Sequence, residues 1–155
     1  MPAISIQEAF MFKKILVPID GSVQARKAAE VAADLAKTQG ASVVGVFVVD
    51  PFPFAGVFET APASLQAYMT DAQTAAARVL AELREICESR GVPFSGDTIE
   101  RDAAYDGILV TAKVEACDLI VMGSHGRRGI EALILGSVTQ KVLTHATVPV
   151  MIIKG

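Results

Sequence analysis

Gly123, Gly126, Gly136 and Ser137 stand in the spacing Gly-x2-Gly-x9-Gly-Ser. Glycine weakens strands and helices alike, so its clustering between two apolar segments needs a reason. Without a Cβ, Gly123 and Gly126 let backbone amides come close to an oxyanion. Gly136-Ser137 immediately precedes a helical pattern, and the unpaired N–H groups and dipole of a helix start favour a phosphate. The Ser137 hydroxyl adds a donor. Together they suit a polyphosphate cradle. Each glycine alone reads as a turn or cap residue; the placement after a strand and before a helix is what favours a ligand. The pattern is neither the Gly-x4-Gly-Lys-Ser/Thr of a P-loop nor the Gly-x-Gly-x2-Gly of nicotinamide enzymes.

A second polar group closes the first apolar run. "KKILVPID" (Lys13–Asp20) ends in an acid followed by Gly21-Ser22. Asp20 can face a ligand across a crevice or merely cap the helix that follows. His125 lies between two of the glycines, with no nucleophile or orienting acid adjacent in sequence to make it a catalytic base. Arg127 and Arg128 either pair with phosphates or solvate the loop. His145, near the end of its helix, is favourable there as a partial cation. Phe52, Phe54 and Phe58 lie in an unusually apolar loop and read equally as a lid, a dimer contact or core filler.

The elements that must position these residues alternate regularly. After the strand Lys13–Asp20, a helical face recurs at Ala25, Ala28, Ala29, Ala32, Leu35 and Ala36, with Gly40 as its stop. "SVVGVFVVD" (Ser42–Asp50) is a continuous apolar run, as a strand covered on both sides requires. From Ser64 to Arg90 a second helical stripe runs through Leu65, Met69, Ala72, Ala76, Val79, Leu83 and Ile86. "VPFSGDTIE" reads as a peripheral strand, because Pro93 and Gly96 suit an edge. A shorter helix with Ile108, Leu109 and Ala112 inward follows, then the buried strand "DLIVMG", the helix "SVTQKVLTHA" and the last strand "VPVMIIK". Strand–helix units in this order imply right-handed crossovers and one doubly wound parallel sheet with helices on both faces. In such sheets ligands sit beyond the carboxyl ends of the strands, where the winding reverses.

Composition narrows the classes. The chain has 155 residues, 52% hydrophobic and 20% charged, which suits one well-cored domain. A net charge of −3 and a pI near 5.4 favour neither nucleic acid nor an anionic membrane. Cys87 and Cys117 lack metal-ligand spacing and read as small buried hydrophobes. No apolar run reaches the ~20 residues of a membrane span. The first ten residues have neither the basic start nor the apolar stretch of a signal peptide, so the cytoplasm is the expected compartment.

The stretches "KKILVPIDGS", "GVFVVDP", "DLIVMGSHGRRG" and "LGSVTQKVLTHATVPVMIIK" closely resemble the universal stress protein family, in the branch that keeps a nucleotide-binding glycine pattern. The resemblance covers Phe12 to Lys154. Residues 1–11 then form an N-terminal extension to a nucleotide-binding domain over 12–155. The resemblance implies sheet order 3-2-1-4-5, an adenine nucleotide (ATP, ADP or AMP, with or without Mg2+), a homodimer and a regulatory role in stress response. Asp20 matches the acid that holds the nucleoside, with Pro18 and Ile19 before it on the pocket wall. Val48 matches the position whose backbone reads adenine. Met122 and Gly123 match the ribose-side wall, and Gly126, Gly136, Ser137 and Val138 match the phosphate-binding backbone. His125 then stands within reach of ribose or phosphates. Arg101 departs from the small residue common in relatives, and the loop from Phe52 to Phe58 falls where the family varies.

Given that order, the final strand Val148–Ile153 lies at an edge and is apolar on both faces, a surface expected to pair with its own copy. The competing readings are a slow ATPase, an adenylyl-transferring hydrolase and a purely structural dimer module. Such hydrolases carry a Ser-Gly-Gly-x-Asp-Ser loop after the first strand, which "PIDGSVQ" does not match. A committed ATPase needs a positioned base and Mg2+ carboxylates, and Asp20 is the only obvious acid nearby.

Overall fold

The alternating pattern folds as five strands and four helices in a computed structural model that describes residues 11–51, 62–125 and 134–155. In chain order the elements are β1 (Lys14–Pro18), α1 (Val23–Gln39), β2 (Ser42–Val49), α2 (Pro62–Glu88), β3 (Phe94–Glu100), α3 (Ala104–Val114), β4 (Leu119–Gly123), α4 (Ser137–His145) and β5 (Val150–Ile153). The strands form one sheet in the order β3-β2-β1-β4-β5, and every neighbouring pair is parallel. Order and class agree with the expectation from the sequence.

Successive strand side chains face opposite sides of the sheet, and both sides are covered. Ile15, Val17, Val43, Phe47 and Val121 pack with α1 and α2, whose inner faces carry Ala28, Ala32, Ala36, Ala76 and Leu83. Leu16, Val44, Val46, Ile120 and Met122 pack on the other side with Ile108 and Ala112 of α3 and Val142 of α4. The α1 face is wider than its sequence pattern indicates, because Ala33 is also fully buried and Leu35 only partly. In α3 the buried positions are Gly107, Ile108, Thr111 and Ala112, with Leu109 at the margin. Six buried alanines let α1 lie close to the sheet.

The edges follow from composition. β3 is largely exposed, as Pro93 and Gly96 suggest. β5 is half-buried along its whole length, and its ladder begins at Val150 rather than Val148. At the amino edge Asp118 joins the two central strands: its carboxylate accepts from Lys13 N–H (2.8 Å) and Lys14 N–H (3.1 Å), while its own N–H donates to Lys14 O (2.9 Å). Since β1 and β4 are neighbours, Asp20 and Gly123 leave the sheet side by side at its carboxyl edge.

Candidate functional site

The crevice begins where β1 ends. Ile19 N–H donates to Val46 O (2.9 Å), the last β1–β2 bond, and Ile19 is buried. Residues of a parallel strand turn both peptide groups to the same side, alternating along the chain. Val46 faces β1, whereas Val49 O accepts from Arg101 N–H on the β3 side. Val48 therefore turns its N–H and C=O toward β1, one step past the last β1–β2 bond. Its side chain packs against Gly107 of α3.

Asp20 is not the helix cap. Its Oδ1 accepts from Ser22 N–H (2.9 Å), and Ser22 is the N-cap of α1, its hydroxyl accepting from Ala25 N–H (3.1 Å). The Asp-Gly-Ser turn thus splits the work: Asp20 shapes the turn, with Gly21 at φ +83, and Ser22 caps the helix.

β4 ends at Gly123, directly against the first turn of α1. A Cβ there would lie 3.0 Å from Gln24 Cβ and 3.2 Å from the Gln24 carbonyl carbon, tighter than side chains ordinarily pack, so packing by itself favours glycine. Ser124 then joins three elements. Its N–H donates to Ile153 O of β5 (3.0 Å), its C=O accepts from Gly136 N–H (2.8 Å), and its hydroxyl meets Gln24 Oε1 (3.1 Å). His125 is buried, with Nδ1 3.1 Å from the Ser124 hydroxyl and its N–H donating to Gln24 Oε1 (2.8 Å). Met122, one residue before Gly123, is buried in the α3/α4 layer.

α4 starts immediately beside this junction. Gly136 is its N-cap and supplies no side-chain cap; the first intrahelical bond runs from Gln140 N–H to Gly136 O (2.9 Å). The N–H groups of Ser137, Val138 and Thr139 thus precede the helical ladder, the arrangement that favours an anion. Ser137 is exposed and Val138 half-buried, while the buried Thr139 hydroxyl donates to Gly123 O (3.0 Å) and ties the helix to the end of β4. Among the described residues, no group of three or more His, Cys, Asp or Glu could hold a metal ion. No described helix is long and apolar enough to cross a membrane. Gly126, Arg127, Arg128 and the three phenylalanines Phe52, Phe54 and Phe58 lie outside the described residues.

Pro18, Ile19, Asp20, Val48, Met122, Gly123, His125, Gly136, Ser137 and Val138 therefore all come from the carboxyl half of the sheet or the start of α4. Sequence reasoning missed Gln24, Ser124 and Thr139, which bind this region together. A glutamine in the first turn of a helix carries no signal of its own; only the adjacency of β1 and β4 brings Gln24 to the end of β4.

Comparison with known proteins adds identity to geometry. The universal stress protein family model matches residues 11–154. A universal stress protein of Methanocaldococcus jannaschii is 33% identical over 93% of this chain and 83% of its own length. One from Thermus aquaticus is 35% identical over 93% of this chain and all of its own. The fold also matches a solved universal stress protein of Archaeoglobus fulgidus in complex with dAMP, at a TM-score of 0.69 and 21% identity over 93% of this chain and 99% of that one. A family match along nearly the whole chain, borne on a sheet of the same strand order as the sequence resemblance implied, leaves one assignment: this chain belongs to the universal stress protein family.

Proposed function

We propose that the protein binds an adenine nucleotide, ATP foremost, at the carboxyl edge between β1 and β4, and that it acts as a nucleotide-dependent regulator in stress response. The observation that carries this reading is the convergence at one sheet edge of three complementary groups. Asp20 can accept from ribose hydroxyls. The outward peptide of Val48 offers the donor and acceptor that an adenine edge requires. The uncapped start of α4, entered through Gly136, offers the amides of Ser137 and Val138 to phosphate. Gly126 completes the cradle on this reading, and Pro18, Ile19, Met122 and Gly123 form its walls. When bound, the nucleotide supplies the switch, with Mg2+ carried on its phosphates; the chain supplies recognition. The dAMP complex of the Archaeoglobus relative favours an adenine base.

The half-buried edge strand β5 supports a homodimer in which two copies pair about a two-fold axis. A slow ATPase at the same site is the alternative, and one experiment separates the two. Thermal unfolding with ATP at ~100 times its dissociation constant should show about 2.7 kcal/mol of added stability, with phosphate release measured in parallel. Unchanged melting across millimolar-range nucleotide refutes the binding; turnover of several per second refutes the regulator.

A further inference from the structure

The hydrogen bonds around Gln24 determine a proton position in the site. His125 N–H is a backbone donor, so the Gln24 atom 2.8 Å from it must be the carbonyl oxygen, which settles the orientation of the amide. That same Oε1 is 3.1 Å from the Ser124 hydroxyl. A carbonyl oxygen only accepts, so Ser124 must donate to it; otherwise two acceptors would face each other with no proton between. The one hydroxyl proton is then spent, and the contact between Ser124 Oγ and His125 Nδ1 (3.1 Å) requires its proton from the ring. In the neutral imidazole Nδ1 thus bears the hydrogen and Nε2 is an acceptor. The Cδ2 atom bonded to Nε2 lies 3.8 Å from where a Cβ on Gly136 would stand, so this side of the ring sits beside the start of α4.

We propose that Gln24 is a positioning residue of the nucleotide site: through Ser124 it holds His125 as the Nδ1–H tautomer, so that Nε2 takes a hydrogen bond from a nucleoside hydroxyl and not from phosphate. This rests on the nucleotide-binding reading above. To the neutral ring, phosphate oxygens ionised near neutral pH have no proton to offer at Nε2, whereas a ribose hydroxyl does. The α4 amides and His125 therefore divide the ligand by chemistry, the amides taking the anion and the imidazole the polyol.

Nitrogen-15 NMR of the His125 ring, in the nucleotide-free protein and with ATP, tests the assignment. The wild-type protein should show Nδ1–H without nucleotide. Gln24→Met removes the acceptor at similar length and should mix the tautomers or invert them, while Gln24→Glu keeps an acceptor and should restore Nδ1–H. ATP affinity of Gln24→Met should fall by about 2- to 13-fold, the worth of one ordinary hydrogen bond. An Nε2–H tautomer in the wild-type protein, or an unaltered tautomer in Gln24→Met, overturns the proposal. A loss of affinity in Gln24→Met with the tautomer unchanged would reduce Gln24 to a packing residue. A wild-type protein that holds Nδ1–H yet binds no ATP refutes the nucleotide reading alone and leaves the Gln24 lock standing.

Discussion

Gly107 of α3 rests directly on Val48 of β2: a Cβ at position 107 would stand 2.8 Å from Val48 Cγ2 and 2.9 Å from its Cγ1. The absence of one methyl group thus sets how closely α3 seats behind the strand whose peptide faces the crevice. Gly107→Ala gains helix propensity of about 1 kcal/mol but overpacks a β-branched neighbour with little freedom at χ1, at about 1–3 kcal/mol. The clash should win. We expect a lower urea midpoint with an unchanged slope, and weaker ATP binding as β2 shifts. A midpoint equal to that of the wild type would show that Val48 yields without strain.

Ala116 is the only described non-glycine residue with positive φ, at 54°. It follows the C-cap of α3, where Cys117 N–H donates back to Ala112 O (2.9 Å). The left-handed conformation costs an L-residue about 1–2 kcal/mol, and glycine gives back about 0.5–1 kcal/mol of that through its freer unfolded chain. Ala116→Gly should therefore stabilise by up to roughly 1.5 kcal/mol, the difference of the two terms. Chemical denaturation measures it, and destabilisation would contradict the strain.

Burial pushes the thiols of Cys87 and Cys117 up to about 11 from 9.0, against the opposing pull of Arg90 on the first and Lys14 on the second. The folded state holds these protons more tightly than the unfolded chain. The associated stability is complete below pH 9 and is lost as pH rises toward 11. Urea unfolding between pH 8 and pH 11 should show this decline, and the double variant Cys87→Ala/Cys117→Ala should lose that share of the slope. Alkylation at pH 8 should be slow and should track unfolding, because the thiolate is scarce and buried. Rapid native-state labelling of either cysteine would contradict this.

Charge at the edge of β5 tests the dimer. Val150 and Ile152 are half-buried there and turn to the α3/α4 layer. Ile152→Lys should give a monomer or an aggregate in sedimentation velocity, with ATP affinity changed only secondarily. A monomeric wild-type protein at micromolar concentration would refute the interface.

Elements with strong period were legible from the chain alone: the continuous runs of β1, β2 and β4, and the stripe of α2 through Ala76, Val79 and Leu83. The weak strand β3 was legible as an edge because proline and glycine are costly at a sheet centre. What escaped were relationships between distant residues. Ser22, not Asp20, caps α1, because the choice depends on where the backbone turns rather than on which residue can cap. Gly123 reads as a ligand-facing glycine, yet Gln24 fills the space beside it. Tyr105 stacks on His145 with ring centroids 5.9 Å apart, a pairing that a reading of His145 as a helix-end cation does not contain. Each of these needs the neighbourhood of strands, which local pattern does not encode.

The place of β1 at the sheet centre also orders events in time. Its neighbour β4 is remote in sequence: Lys14 and Asp118, which clasp the two strands at their amino ends, are 104 positions apart. During synthesis, β1, β2 and β3 all emerge before β4, because the chain leaves the ribosome amino end first. The edge between β1 and β4 exists only after β4 and α4 have followed β3. A nucleotide held there cannot guide early folding. It can only capture the finished domain, so saturation should slow unfolding while leaving the refolding rate nearly unchanged.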